Sequence, residues 1–208
     1  MSLRLFVVRH AESEYSRGRR FTGWRDVPLS ADGHRQCAAL AGALGGCGAQ
    51  AVYASPLQRA RATAEAIAAP CGLQVRTDEA FREMGFGDWE GVTAQEAAAR
   101  FPEDFALWRS APDRFHRPGG ERLAEVAARA ARGRDALRAA HPDGTLVLVT
   151  HAIVARLLVL DALGLGPERL WSVDATLAGI SELEYRDDWV TVHRMNTLTH
   201  LAANGGPT

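Results

Sequence analysis

Two apolar runs of this sequence end in histidine. LRLFVV is followed at once by Arg9 and His10, and TLVLVT is followed by His151. A further cation, Arg59, lies in the segment SPLQRARATAEAI. An imidazole can act as a nucleophile, a general base or a metal ligand, and guanidinium groups pair with carboxylates and phosphates. If these four side chains converge, they form an electropositive site that suits a phosphate group.

Short strands and helices alternate along the chain and would have to position these side chains. Apolar runs predict strands over 3–8, 49–55, 73–77 and 145–150. Helical patterns fall between and after them, over 30–44, 56–69, 93–101, 103–108, 121–140 and 152–163. Ser30 is a suitable N-cap for the first of these helices, and Pro56 suits the first turn of the second. The stretch 176–196 alternates in a way that predicts a terminal hairpin with RDD as its turn.

This alternation predicts an α/β fold, a three-layer α/β/α arrangement with a mostly parallel central sheet. In such sheets, ligands bind beyond the carboxyl ends of the strands, where helix N-termini also point. Free N–H groups at those N-termini favour anions. His10, His151 and Arg59 all follow predicted strands, so we expect them at this one edge of the sheet.

The length and composition predict one folded domain. The chain has 208 residues, of which 47% are hydrophobic and 24% charged, a balance that is typical of globular proteins. No low-complexity linker divides it. We therefore expect a single domain over 1–208, with no need for a metal or disulfide to stabilise the core.

Charge and cysteine usage narrow the class of protein. The formal net charge is −1, whereas proteins that bind nucleic acids or membrane surfaces usually have a basic bias. No run approaches the length of a membrane span or of a signal-peptide core. The three cysteines lack metal-ligand spacing. We expect reduced thiols, a cytoplasmic location, and neither nucleic-acid nor membrane partners.

Less specific interpretations of the same residues stay open at this point. A histidine that follows a strand is more often structural than catalytic, and Arg59 can be a solvated helix residue beside Arg61. Histidine is also a common metal ligand. However, the sequence contains no H-x-x-x-H or H-E-x-x-H pair, so we expect no metal site.

The chain resembles the histidine phosphatase superfamily, the phosphoglycerate mutase-like proteins, in five ordered motifs. These are RHAES, RFTGWRDVPLSADGHRQ, SPLQRARATA, EMGFGDWEG and VTHAIVAR, and PGGE precedes the last of them. The matches run from residue 5 to about residue 200, which is nearly the whole chain. Each motif alone is weak evidence, but the order of all five is specific. The resemblance implies the family's fold, with a cap-like insertion over about 92–119.

The resemblance also implies a metal-independent mechanism and gives each residue a role. His10 would be the nucleophile and form phosphohistidine, and Glu83 would be the proton donor and acceptor. Arg9, Arg59, His151 and the backbone of Ala152 would bind the phosphate. No cofactor is implied. Three other carboxylates compete with Glu83 for the acid role, and the spacing to FGDWEG favours Glu83; the competitors are Asp78, Glu79 and Glu90.

Three positions depart from the family pattern. Ala11 and Ala152 stand where the family has glycine after each histidine. The backbone N–H is kept at both positions, but the added methyl group can crowd the pocket. Ser16 stands where asparagine is frequent in the family, and its shorter side chain can leave a phosphate contact to water.

The motifs do not agree on the branch of the family. RFTGW is typical of cofactor-dependent phosphoglycerate mutases, in which its threonine and glycine contact the substrate. The candidate substrate-binding residues are Ser16, Arg20, Thr22 and Gly23. The paired arginines of the mutase insertion have no counterpart between Val92 and Gly119. We therefore expect a phosphatase that acts on a small phosphorylated metabolite, with the mutase as the alternative. Aromatic residues fill the insertion instead, and Phe101 and Phe105 are expected to be core residues.

A hypothesis of another class is a phosphate-binding or interaction protein without catalysis, since a fold does not fix a function. Ala11 and Ala152 are the features that favour it, and the presence of both His10 and Glu83 argues against it. The sequence does not name the physiological substrate. A homodimer is an expectation that the sequence leaves open.

Overall fold

The computed structural model describes residues 2–202, and it contains six strands and eight α-helices in that range. The strands are β1 (Ser2–Arg9), β2 (Ala51–Ala54), β3 (Val75–Thr77), β4 (Gly144–Thr150), β5 (Ile180–Arg186) and β6 (Val190–Thr197). The helices are α1 (Glu14–Arg17), α2 (Ala31–Leu44), α3 (Gln58–Ala68), α4 (Ala94–Arg100), α5 (Pro102–Ser110), α6 (Leu123–Ala140), α7 (Ala152–Ala162) and α8 (Thr199–Ala202).

All six strands form one sheet in the order β3-β2-β4-β1-β5-β6. The first four of these strands pair in parallel. β5 runs antiparallel to β1, and β6 runs antiparallel to β5. The expected mostly parallel sheet and the terminal hairpin are both confirmed. β1 and β4 lie side by side in the middle of the sheet, which is what brings their carboxyl ends together.

Helices cover both faces of the sheet, because alternate residues of the central strands point in opposite directions. Leu5 and Val7 of β1 share a core with α6 and α7. Phe6 and Val8 of the same strand share a core with α2 and α3. The three-layer α/β/α arrangement is therefore confirmed.

The helix that carries Arg59 begins two residues later than the sequence predicts. Pro56 precedes the helix, and Leu57 is still extended (φ −69°, ψ 136°) as the residue before the first turn. Leu57 has no side-chain cap to offer. The carboxylate of Asp26 caps the helix instead, since its Oδ1 accepts a hydrogen bond from the Gln58 N–H at 2.6 Å. A contact from a distant loop thus fixes where α3 starts.

Residues 92–119 contain α4 and α5, and most of their aromatic side chains pack around Trp89. The ring centroids of Phe101, Phe105 and Phe115 lie 6.2, 6.2 and 4.8 Å from that of Trp89. The expectation that Phe101 and Phe105 belong to the core is confirmed, since both pack against the larger cluster. Within residues 2–202, no helix combines the length and the apolar character that crossing a bilayer requires.

Candidate active site

The two histidines that follow the central strands lie against each other. Arg9 pairs with Thr150 at the end of the parallel ladder, and the His10 N–H donates to the Thr150 carbonyl at 2.8 Å. The rings of His10 and His151 follow directly, with their centroids 5.0 Å apart. Adjacent parallel strands therefore bring together two residues that are far apart in sequence.

Hydrogen bonding fixes the tautomer of His10. Its Nδ1 lies 2.7 Å from the carbonyl oxygen of Ala11, and because a carbonyl only accepts, Nδ1 carries the proton. Nε2 is left with a lone pair, and it accepts from Nε of Arg59 at 3.3 Å. The unprotonated nitrogen, which is the one that can attack phosphorus, is thus Nε2, and in this structure the Arg59 guanidinium engages its lone pair.

Arg59 is fully buried and is held by backbone carbonyls. Its two terminal nitrogens donate to the carbonyls of Arg25 and Gly23, each at 2.9 Å. The Gly23 position requires glycine: its φ is +51°, and a Cβ there would lie 2.0 Å from Oε1 of Glu90. Arg59 is therefore fixed in place by the loop that carries RFTGW.

Arg9 points in from the other side. Its Nη1 donates to the carbonyl of Ala175 at 2.7 Å, and its buried Nε has no hydrogen-bond partner among the described atoms. Burial lowers the pKa of both Arg9 and Arg59 to about 10. Both guanidinium groups thus remain charged at neutral pH.

The two histidines are held in the neutral form. Burial lowers the pKa of His10 well below its usual value, and the charges of Arg59 and Arg9 lower it further. The pKa of His151 is lowered in the same way, first by burial and then by Arg59 and His10. A neutral imidazole is the form that can attack a phosphorus atom.

His151 is fully buried behind His10. Its Nε2 shares a hydrogen bond of 2.7 Å with Oγ of Ser55, whereas its Nδ1 has no partner among the described atoms. His151 is the residue before α7, and Ala152 is the first residue of that helix. Ala152 lines the cavity beside His10. The other alanine, Ala11, is buried with Leu29 and Cys37, and its N–H donates to Thr63 Oγ1 at 3.1 Å.

Glu83 is buried at the same cavity. Its Oε1 accepts from the N–H of Met84 at 2.9 Å. Burial raises the pKa of this carboxyl, and the Met84 N–H and the nearby Arg59 and Arg9 offset part of the rise. A carboxyl group with a raised pKa can both donate and accept a proton near neutral pH.

The three competing carboxylates serve other contacts. Asp78 caps a short 3₁₀ turn by accepting from the Ala80 N–H at 2.8 Å. Glu79 is exposed and pairs with Arg82. Glu90 Oε1 accepts from the backbone N–H groups of Trp24 and Phe86. Among the four candidates, only Glu83 lines the cavity that contains His10.

The candidate substrate-binding residues Ser16, Arg20, Thr22 and Gly23 all line this cavity. The side chains of Ser16 and Arg20, however, are hydrogen-bonded to other parts of the protein. Oγ of Ser16 accepts from the Ser13 N–H at 2.7 Å and donates to the Ser13 carbonyl, which forms a capping box for α1. Arg20 donates to the Gly91 carbonyl at 2.7 Å and also pairs with Glu96. Thr22 is less constrained, since its hydroxyl makes one long bond of 3.3 Å to a backbone carbonyl.

Several cavity residues were not singled out from the sequence. Arg19 lines the cavity with a φ of +52°, which is uncommon for a residue with a Cβ. Arg156 and the aromatic residues Trp108 and Trp171 complete the wall. A signal for Arg156 was present, because it is the arginine of the matched motif VTHAIVAR. No local pattern marks Trp171.

The cavity has a volume of about 260 Å³ and is lined by both cationic and aromatic side chains. Within the described range, no group of three or more His, Cys, Asp or Glu side chains is arranged so that it could hold a metal ion. The positive charge at the site comes from guanidinium groups. Such a site can hold a phosphate ester by its oxygens and present Nε2 of His10 to the phosphorus.

A pair of neutral histidines beside two arginines, one buried and one half-buried, at the carboxyl edge of a three-layer sheet, defines a class of phosphoryl-transfer enzymes that work through histidine. The family model described as histidine phosphatase superfamily (branch 1) matches residues 5–198. The chain belongs to this superfamily.

Relatives and solved structures agree with that assignment. The chain is 32% identical to phosphoserine phosphatase 1 of Hydrogenobacter thermophilus, over 96% of this chain and 94% of that one. It is also 32% identical to a 2,3-bisphosphoglycerate-dependent phosphoglycerate mutase of Brucella melitensis, over 82% and 86%. A mycobacterial glucosyl-3-phosphoglycerate phosphatase structure superposes with a TM-score of 0.87 at 28% identity, covering 95% of this chain and all of the other.

Proposed function

We propose that this histidine phosphatase hydrolyses a small phosphorylated metabolite, with His10 as the nucleophile. The observation that carries the proposal is the tautomer of His10: Nδ1 donates to Ala11, so Nε2 presents its lone pair beside Arg59. Both relatives that hydrolyse phosphate esters by name, the phosphoserine and glucosyl-3-phosphoglycerate phosphatases, support the substrate class.

The first step transfers the phosphoryl group to the enzyme. Nε2 of His10 attacks the phosphorus in line, the P–O bond to the leaving group breaks, and Glu83 protonates the departing alkoxide. Arg9 and Arg59 neutralise the charge on the equatorial oxygens, which is usually a large part of such catalysis. The first N–H of α7, at Ala152, is a further donor of this proposal, and Nδ1 of His151 is another in the tautomer in which the Ser55 hydroxyl donates to Nε2.

The second step returns the enzyme to its starting state. Glu83, now ionised, accepts a proton from a water molecule, whose oxygen attacks the phosphorus of phosphohistidine. The P–N bond breaks, its electron pair returns to Nε2, and inorganic phosphate leaves. The mechanism assigns no step to a metal ion, since Arg9 and Arg59 supply the positive charge.

We also propose that residues 92–119 act as a cap that belongs to the same domain. Trp108 of α5 reaches the wall of the cavity. Phe115 and Trp108 share their packing cluster with Leu5 of β1 and Leu148 of β4. A cap that is anchored in the main core would shape the choice of leaving group without moving as a separate unit.

Two other functions remain as alternatives. Phosphoglycerate mutase activity is favoured by RFTGW and by the similarity to the Brucella mutase, and Thr22 and Gly23 do line the cavity. A protein that only binds phosphate is the alternative of another class. Mutase activity predicts interconversion of phosphoglycerates, and a protein that only binds phosphate predicts no turnover of any phosphate ester.

Replacing the nucleophile tests the proposal. His10→Ala should lower the turnover of p-nitrophenyl phosphate by about 10³-fold or more, because no other group can form the covalent intermediate. His34→Ala, an exposed histidine on α2, is the matched control and should keep full activity.

The intermediate itself provides a second readout. Brief mixing of the parent enzyme with substrate, followed by denaturation in base, should leave acid-labile phosphate on His10. Residual activity of His10→Ala within tenfold of the parent, or phosphate on another residue, would overturn the assignment. A parent enzyme that binds vanadate without any turnover would favour the protein that only binds phosphate.

A further inference from the structure

A second cavity adjoins the catalytic one. This outer groove has a volume of about 420 Å³ and is lined by Arg109, Arg156, Trp171 and residues 172–174. Arg156 and Trp171 also line the catalytic cavity. The two spaces therefore meet at Arg156 and Trp171.

Trp171 is held in a fixed orientation at the boundary. Its indole N–H donates to the Trp108 carbonyl at 3.0 Å, and the two rings are perpendicular with centroids 4.9 Å apart. Even so, Trp171 is 40% exposed. The Arg156 guanidinium lies over part of the ring, 5.1 Å from its centroid. The part of this fixed ring that stays exposed suits contact with an alkyl chain or a ring of the ligand.

The charges of the outer groove leave one cation without a partner. Arg156 is neutralised, since it pairs with Asp174 at 2.7 Å and donates to backbone carbonyls of residues 170 and 173. Arg109, in the last turn of α5, is exposed, and its side chain makes no hydrogen bond or ion pair with any other residue in the described range. The outer groove therefore combines an apolar surface with one free guanidinium group.

We propose that the outer groove is a subsite that selects phosphomonoesters with a carboxylate at the far end of the leaving group. The carboxylate would pair with Arg109, and the part of the leaving group between the two charged ends would lie on Trp171. One free guanidinium fork matches the two oxygens of a carboxylate, whereas a dianionic phosphate would require further cations. This inference rests on the proposed function, because it names the class of substrate for that reaction.

Non-hydrolysable ligands test the subsite without requiring turnover. The probes are pairs of alkyl phosphonates and ω-carboxyalkyl phosphonates, with chains of three to eight carbons, whose dissociation constants are measured by calorimetry. In the parent enzyme the carboxylated member should bind about fivefold more tightly at the chain length that reaches Arg109, since exposed ion pairs are modest in strength. Arg109→Glu should abolish or reverse that preference and leave the plain alkyl phosphonates unaffected.

Arg132→Glu is the control variant. Arg132 is exposed on α6 and outside both cavities, so its reversal changes the net charge equally without touching the subsite. The proposal predicts that this variant keeps the preference for carboxylated phosphonates. No preference at any chain length, or the same loss in both variants, would overturn it.

The proposed function is judged separately, by turnover of p-nitrophenyl phosphate. A preference that depends on Arg109, in an enzyme without turnover, would keep the subsite and refute the hydrolase. Turnover together with no preference would refute the subsite alone.

Discussion

The proposed mechanism places two opposite requirements on the carboxyl group of Glu83. In that mechanism it is protonated when the leaving group departs and ionised when water attacks. Burial raises its pKa, and the Met84 N–H and the charges of Arg59 and Arg9 offset part of that rise. Glu79, four residues earlier in the sequence, is exposed and lies outside the cavity.

Glu83→Gln should therefore affect poor leaving groups far more than good ones. Turnover of an alkyl phosphate, whose alkoxide must be protonated, should fall by about 10² to 10⁴-fold. The effect on formation of phosphohistidine from p-nitrophenyl phosphate should be much smaller, because nitrophenolate leaves without a proton. Rapid-quench measurement of the first step with both esters checks this, and Glu79→Gln is the matched control. Equal losses with the two esters would contradict the acid role.

The buried neutral histidines should make stability depend on pH. The pKa of His10 and of His151 is lowered in the folded protein, so below about pH 6.5 the unfolded chain binds protons that the folded chain does not. Stability should then fall as the pH falls, by up to about 1.4 kcal/mol per histidine for each pH unit. The raised pKa of Glu83 acts in the opposite direction, since the folded state then takes up a proton first.

The free energy of unfolding can be measured with denaturant at pH 7.5 and 5.5 in the Glu83→Gln variant, which removes the opposing contribution of Glu83. His10→Asn in that background should reduce the loss of stability between the two pH values. An unchanged pH dependence would show that His10 is protonated in the folded protein.

At the scale of elements, the segment between α7 and β5 holds Arg9 and His10 in place. Arg9 and His10 are joined to it by three hydrogen bonds, from Arg9 N to Gly179 O (3.1 Å), from Ala178 N to His10 O (3.2 Å), and from Arg9 Nη1 to Ala175 O (2.7 Å). The segment is fixed in turn by Asp174. Oδ1 of Asp174 accepts from Arg156 Nη2 and from the Ala175 N–H, each at 2.7 Å.

Asp174→Ala should therefore weaken the binding of phosphate by Arg9, although Asp174 does not line the catalytic cavity. We expect a loss of about tenfold in kcat and in vanadate affinity, because small displacements of a positioned group are costly in rate. Asp174→Asn, which keeps the accepting oxygen, should recover most of both. Asp188→Ala, in the exposed hairpin turn, serves as the control. Normal vanadate binding by Asp174→Ala would contradict this account.

At the scale of the whole molecule, the arrangement around the cavity favours hydrolysis over mutase chemistry. A mutase must retain a bisphosphorylated intermediate while it turns around in the site. The arginines of the RFTGW loop are mostly occupied: Arg20 holds Gly91 and Glu96, and Arg25 is bonded to Tyr15. A leaving group that is anchored in the outer groove would not be free to turn.

Incubation with 3-phosphoglycerate and catalytic 2,3-bisphosphoglycerate should therefore release inorganic phosphate faster than it forms 2-phosphoglycerate. Phosphorus NMR follows both products in one sample. Interconversion that outpaces phosphate release would mean that RFTGW, rather than the missing arginine pair, indicates the branch.

The sequence by itself predicted where the site lies, and the ordered family motifs predicted its chemistry. Strand-end residues of neighbouring parallel strands must meet at one edge, so the pattern of apolar runs was sufficient to bring His10, His151 and Arg59 together. Its errors were local, as at the start of α3, where a cap from Asp26 overrides the preference of Pro56 for a first turn.

Only the tertiary structure decided which groups are buried, and burial is what sets the protonation states. The lowered pKa of His10 and the raised pKa of Glu83 depend on the layers that close over them. The contact of Arg9 with Ala175 joins residues 166 positions apart, and the sharing of Trp171 by two cavities depends on packing against Trp108. Such contacts have no local sequence signal, because they form between segments whose spacing is fixed only when the whole sheet assembles.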